Sequence, residues 1–185
     1  LQKYFKDKYR SIFLIATFLL PSMFFVSSFL FAIVCLKASL SNKNNFFKDK
    51  YNFFFILCSI FMILGSIYNY FYFDEKLIGT SWEPNLALIG TLNWLPFFYI
   101  FWIFQTFLNT EKKRHQFSIA LLSGTFPLFL SGFSQYFLKL FGPFKTFFGT
   151  IIWYQREVNS ESGLSSVFNN PNYAGTWFCA ILPFA

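Results

Sequence analysis

The sequence predicts an all-α, polytopic transmembrane helical bundle: four complete spans, a truncated fifth, and a short interfacial helix in an outward loop. Three observations predict it. Hydrophobic residues make up 55% of the chain and charged residues only 12%, about half the charged share of a soluble domain. Uncharged apolar runs recur at lengths that suit a bilayer, since a helix needs about 20 residues to cross roughly 30 Å of hydrocarbon at 1.5 Å per residue. Basic residues gather in alternate loops between those runs. Phe alone supplies 32 of the 185 residues, an excess that fills lipid-facing positions and carries no functional information.

The four spans are Ser11–Leu36, Phe53–Phe73, Leu86–Leu108 and Phe117–Leu138. The segment Lys3–Arg10 is too charged to belong to the first. That first run is too long for the apolar core of a signal peptide and lacks a clear small-residue cleavage site, so it is expected to stay in the membrane. A fifth run starts at Tyr173 and reaches Ala185, which is too short to cross, and on this ground the chain reads as a fragment. The organisation expected is residues 1–138 as membrane helices, 139–172 as an outward loop, and 173–185 as the start of a truncated helix.

Charge sets the orientation. The loop after the first span carries Lys37, Lys43, Lys48 and Lys50, and the loop after the third carries Lys112, Lys113 and Arg114, which places both on the cytoplasmic side. The loop 74–85 has one Lys against Asp74, Glu75 and Glu83, and residues 139–172 hold only Lys139, Lys145 and Arg156, so these two face outward. Lys3, Lys6, Lys8 and Arg10 conflict with this alternation, which puts them outside; either the segment tolerates its charge or one span is miscounted. The net charge of +7 is spread over short loops with no continuous basic face, so no nucleic-acid partner is expected.

Within the spans, Pro21, Pro96 and Pro127 each remove a backbone hydrogen bond and predict kinks. Gly124, Ser131 and Gly132 give the fourth span a small-residue face for close helix contact. Asn69, Asn93, Gln105 and Gln135 are polar groups expected to avoid lipid by bonding between helices, with a place on a substrate path as the alternative. Cys35, Cys58 and Cys179 lie in apolar runs without metal-ligand spacing, so they are read as packing residues and no metal or cofactor is expected. His115, in the basic stretch 111–115, is read as a solvated loop residue.

The outward segment holds the candidate chemistry. Thr146–Tyr154 is apolar, too short to cross, and ends in two aromatics, which predicts the interfacial helix. Asn170 suits a helix N-cap and Pro171 the first helical position, so a helix is expected to begin there with several N–H groups free to meet an anion. The plainer alternative is a well-capped helix and nothing more. Arg156 supplies a permanent positive charge for a lipid-linked diphosphate; its alternatives are a pair with Glu157 or Glu161, or contact with ordinary lipid phosphates.

At Arg156, Gly163 and Phe168-Asn169-Asn170-Pro171-Asn172 the chain resembles the O-antigen ligase and O-antigen polymerase family of bacterial multi-pass membrane proteins. Ser123-Gly-Thr-Phe-Pro127, Phe133-Ser-Gln-Tyr136, Gly142-Pro-Phe144 and Trp153-Tyr-Gln-Arg156 look like its cyanobacterial-type branch. The likeness spans 121–185; before it only hydropathy agrees. It implies a bacterial plasma-membrane protein that transfers a glycan from a polyprenyl-diphosphate carrier to an acceptor glycan or lipid hydroxyl. The resemblance further implies that no nucleotide or metal takes part, that Arg156 is the catalytic residue, and that Gly163, Asn169, Asn170 and Asn172 bind substrate. Family members carry a second outward loop rich in Arg and His, so the 185 residues alone are expected to be inactive. The alternative is a transporter component, like relatives regarded as inorganic-carbon carriers.

Overall fold

The computed structural model describes residues 2–41, 46–72, 84–146, 148, 151–153, 155, 157–158, 163–168 and 170–185. Its helices are α1 (Gln2–Leu19), α2 (Phe24–Ser41), α3 (Phe53–Tyr72), α4 (Pro84–Leu108), α5 (Glu111–Gly124), α6 (Phe126–Phe137) and α7 (Pro171–Ile181). Two short strands, β1 (Phe144–Thr146) and β2 (Ile151–Trp153), lie between α6 and α7 in sequence. Three stretches, Lys50–Tyr72, Leu86–Leu108 and Glu111–Phe137, are long and apolar enough to cross a membrane, which suits the chain to a lipid bilayer. The described helices form two compact units, 1–34 with 108–185 and 35–107.

The first of the four expected spans is not one helix. The Ser11–Leu36 run breaks between α1 and α2, because Pro21 has no N–H to continue the ladder and its ring obstructs the preceding turn. The break is a closed turn. Leu20 donates its N–H to the Thr17 carbonyl at 3.3 Å, and Ser22 and Met23 donate theirs to the Leu19 carbonyl at 3.2 and 2.7 Å. After the turn α2 packs back along α1, with Ser27 Oγ donating to the Ala16 carbonyl at 2.7 Å and Phe31 edge-on to Phe13 at 5.7 Å.

α1 also packs on α5. Arg10 donates to Gln116 Oε1, Phe13 stacks on Phe117 at 5.9 Å, and the Phe18 backbone touches Gly124. The contacts advance together along both helices, so α1 and α5 are parallel. The small-residue face expected at Gly124 is used for this approach. α5 starts earlier than the sequence suggested: Thr110 caps it, its Oγ1 accepting from the Lys113 N–H at 3.4 Å, and Glu111 in the first turn suits the positive end of the helix dipole. His115 therefore lies on a helix, exposed, rather than in a loop. Thr125 separates α5 from α6, and Pro127 falls in the first turn of α6, so this proline begins a helix. Pro96 lies inside an unbroken α4.

In the other unit, α3 and α4 are joined by Ser66 and Thr91, whose hydroxyls hydrogen-bond to each other, while Ser66 Oγ also donates to the Ala87 carbonyl at 3.3 Å. Phe55 stacks on Phe98 at 5.2 Å. Ala38, Trp102 and Ile103 form a small core with Cys35, Phe46 and Phe107 packed on it. Asn69, Asn93 and Gln105, expected to be shielded, are exposed, because they point from helix faces that no other described element covers.

The interfacial helix expected at Thr146–Tyr154 is corrected to a β-hairpin. β1 and β2 pair antiparallel in the register Phe144 to Trp153, Lys145 to Ile152 and Thr146 to Ile151. β-branched and aromatic residues favour extended backbone, and the run is too short for a helix to recover its nucleation cost. A cis bond links Gly142 to Pro143 just before β1. α7 then returns antiparallel along α5 and α6: Phe178 lies 5.1 Å from Phe129, Trp177 Nε1 donates to Thr125 Oγ1 at 3.2 Å, and Phe184 meets Phe117 at 5.9 Å.

Candidate functional site

Gln135 organises the segment between α6 and α7. It is fully buried on α6, where an unpaired amide would cost more than its hydrogen bonds return. Both ends of the amide are used. Its Nε2 donates to Ser165 Oγ at 3.1 Å, and its Oε1 accepts from the Ser166 N–H at 2.9 Å. Ser166 Oγ completes the clamp by donating to the Leu128 carbonyl at 2.6 Å. A β-carbon built on Gly132 would meet that of Ser166 at 3.9 Å, an ordinary van der Waals contact, so this approach does not itself require a glycine.

The clamp places Ser166 in the left-handed region, at φ 54°, where a residue without a branched β-carbon is more easily held. The loop turns there, with the Phe168 N–H reaching the Ser165 carbonyl at 3.0 Å, and feeds into α7. Gln155, about midway between α6 and α7 in sequence, is fastened to the same helix: its Nε2 donates to Ser131 Oγ at 2.5 Å, and its carbonyl accepts from the Gly142 N–H at 3.0 Å. Ser131 and Gln135 are one helical turn apart, so one face of α6 holds both halves of the segment.

The start of α7 matches the expected cap but not the expected vacancy. Asn170 is extended and its Oδ1 accepts from the Asn172 N–H at 2.9 Å. Pro171 has no N–H, and the N–H groups of Tyr173 and Ala174 reach the Asn170 carbonyl at 3.1 and 3.4 Å. The first turn therefore satisfies its own donors, and the several free N–H groups expected there are corrected to none among these four residues. What remains for an anion is the positive end of the helix dipole together with the exposed Asn172 side chain.

No protein-family model, curated protein or solved structure matches this chain. The sites named from the sequence stand as follows. Gly163 is exposed, and a β-carbon on it would meet that of Pro171 at 3.5 Å. Asn170 is half-buried at the cap, and Asn172 is exposed one step into the helix. Arg156 and Asn169 lie outside the described residues, as does Glu161. Glu157 is exposed. Among the described residues no group of three His, Cys, Asp or Glu is placed to hold a metal ion.

The anchoring residues are only half legible in the sequence. A lone Gln135 in an apolar span signals a buried partner, yet nothing in the sequence points to Ser165 and Ser166 some thirty positions on. Gln155 carried a weaker signal, as a polar residue between the aromatic pair Trp153-Tyr154 and Arg156.

Proposed function

We propose that this chain acts in bacterial plasma-membrane glycan transfer of the O-antigen ligase or polymerase kind. The acceptor hydroxyl attacks the first sugar of a polyprenyl-diphosphate-linked glycan, the bond from that sugar to the diphosphate breaks, the diphosphate leaves on its lipid carrier, and the hydroxyl's proton passes to the surrounding water. Negative charge grows on the departing oxygen, and a prepositioned guanidinium is the group best suited to meet it. Arg156 has that role. Asn172, at the positive end of α7, offers an amide to the same phosphates or to a sugar hydroxyl.

One observation supports the reading: residues adjoining both family-like stretches are tied to one face of α6. Gln155, immediately before Arg156, bonds to Ser131, and Ser165 and Ser166, immediately before the Asn-rich turn, bond to Gln135. A helix that holds two parts of one loop supports their acting on one substrate.

The test uses cells that carry the native protein. Arg156→Ala abolishes surface-glycan transfer and raises the amount of lipid-linked glycan, while Arg156→Lys, which keeps the charge but loses the bidentate fork, retains a fraction of the transfer. Unchanged surface glycan in the Arg156→Ala cells overturns the proposal, and a simultaneous change in bicarbonate uptake replaces it with the transporter.

A further inference from the structure

We infer that α1 and α2 form a re-entrant hairpin, entering and leaving one leaflet on the face that carries Lys112, Lys113 and Arg114, with its tip among lipid acyl chains near mid-depth. The inference is independent of the enzymatic activity.

The depth comes from the parallel packing of α1 on α5. The uncharged part of the long α5–α6 stretch, Phe117–Phe137, measures about 30 Å at 1.5 Å per residue, the thickness of the hydrocarbon layer. Phe13 lies level with Phe117, and Phe18 lies level with Gly124, about 10 Å farther in. The Leu20–Met23 turn follows directly, so it stops close to the middle. The uncharged part of α1, Ser11–Leu19, is itself too short to cross. α2 then runs back antiparallel, Ser27 on Ala16 and Phe31 on Phe13, and meets no charged residue until Lys37, about 20 Å of helix beyond Phe24.

The tip is built for an environment without water. Non-helical backbone inside a bilayer must satisfy its own donors, and here Leu20, Ser22 and Met23 all donate to carbonyls of α1 while Pro21 has no N–H to satisfy. Large apolar side chains beside the turn are exposed: Phe24, Phe25 and Phe29 are 63%, 83% and 67% exposed. Acyl chains are the partner that such a surface fits.

The hairpin also removes the conflict in charge. Parallel packing puts Arg10 beside Gln116, so the basic start of α1 shares a side with Lys112, Lys113 and Arg114, as the excess of Lys and Arg on cytoplasmic segments requires. The miscounted element is the first span.

The test replaces Cys35, Cys58 and Cys179 by Ser in the full chain and introduces Lys8→Cys, Lys112→Cys, Glu157→Cys or Phe25→Cys one at a time. Right-side-out and inside-out vesicles are treated with a membrane-impermeant maleimide. Lys8→Cys and Lys112→Cys react in the same vesicles, Glu157→Cys in the opposite ones, and Phe25→Cys in neither. Reaction of Lys8→Cys on the opposite side from Lys112→Cys, or of Phe25→Cys on any side, overturns the inference. Should the Phe25 variant fail to accumulate, a spin label on Ser22→Cys reports depth: more frequent collision with oxygen than with a water-soluble nickel chelate supports the hairpin, and the reverse refutes it.

Discussion

The carbonyl oxygen of Phe18 lies 2.2 Å from the point where a β-carbon on residue 124 would be built. The obstacle is backbone on a neighbouring helix, which cannot swing aside as a long side chain would. Gly124→Ala therefore forces α1 and α5 apart, and an overpacked contact of this sort costs about 1–3 kcal/mol. A lowered thermal midpoint in detergent, and a larger fall for Gly124→Val, is the expected outcome. An unchanged midpoint for both variants contradicts the close approach.

Gln135→Leu keeps the volume at the centre of α6 and removes both hydrogen bonds to the loop. The Ser166 N–H is then left buried without its acceptor, at a cost of about 1–3 kcal/mol. Limited proteolysis should cut residues 157–170 faster in this variant, and amide exchange at Ser166 should accelerate. Equal rates in variant and parent would show that the loop is held by other means.

Ser166 supports two effects of opposite sign. Its φ of 54° favours glycine, whereas its Oγ bond to the Leu128 carbonyl favours the hydroxyl. Ser166→Val loses the bond and adds a β-branched side chain to a left-handed residue, so it should destabilise by about 2 kcal/mol or more. Ser166→Gly should be milder, because relief of the backbone offsets the lost bond. A reversed order in chemical denaturation would contradict this account.

Asn170 is a cap in its own right, and its substitution separates structure from recognition. Asn170→Ala should cost about 1 kcal/mol of stability, and Asn170→Ser or Asn170→Asp should restore most of it. If surface-glycan transfer follows stability across the three variants, the side chain acts as a cap alone; loss of transfer in a stable Asn170→Ser variant assigns it contact with substrate.

Much of the membrane architecture is legible because solvent and length decide it. The helices α3 and α4 and the long α5–α6 stretch fall within a few residues of the uncharged runs that predict them, and Asn170 with Pro171 announces the start of α7 correctly. The first run misleads for a physical reason: Ser11–Leu36 is apolar on both sides of the turn, so hydropathy does not change where the chain reverses. Pro21 marked the place, but a kink and a reversal look alike until Ser27 is seen on Ala16. The β-hairpin is hidden for a different reason, since a short apolar run before a polar stretch has no period long enough to distinguish strand from helix. The satisfied donors at the start of α7 depend on hydrogen bonds that the residue order alone leaves open.

Thr125 accepts the Trp177 indole and donates to the Leu121 carbonyl at 3.1 Å, and it stands where one helix gives way to the next. Ser131 and Gln135 both lie beyond that joint. Thr125, Ser131 and Gln135 therefore hold α7, Gln155 and Ser165–Ser166 from a single short helix, so that residues far apart in the sequence take their places from one common support.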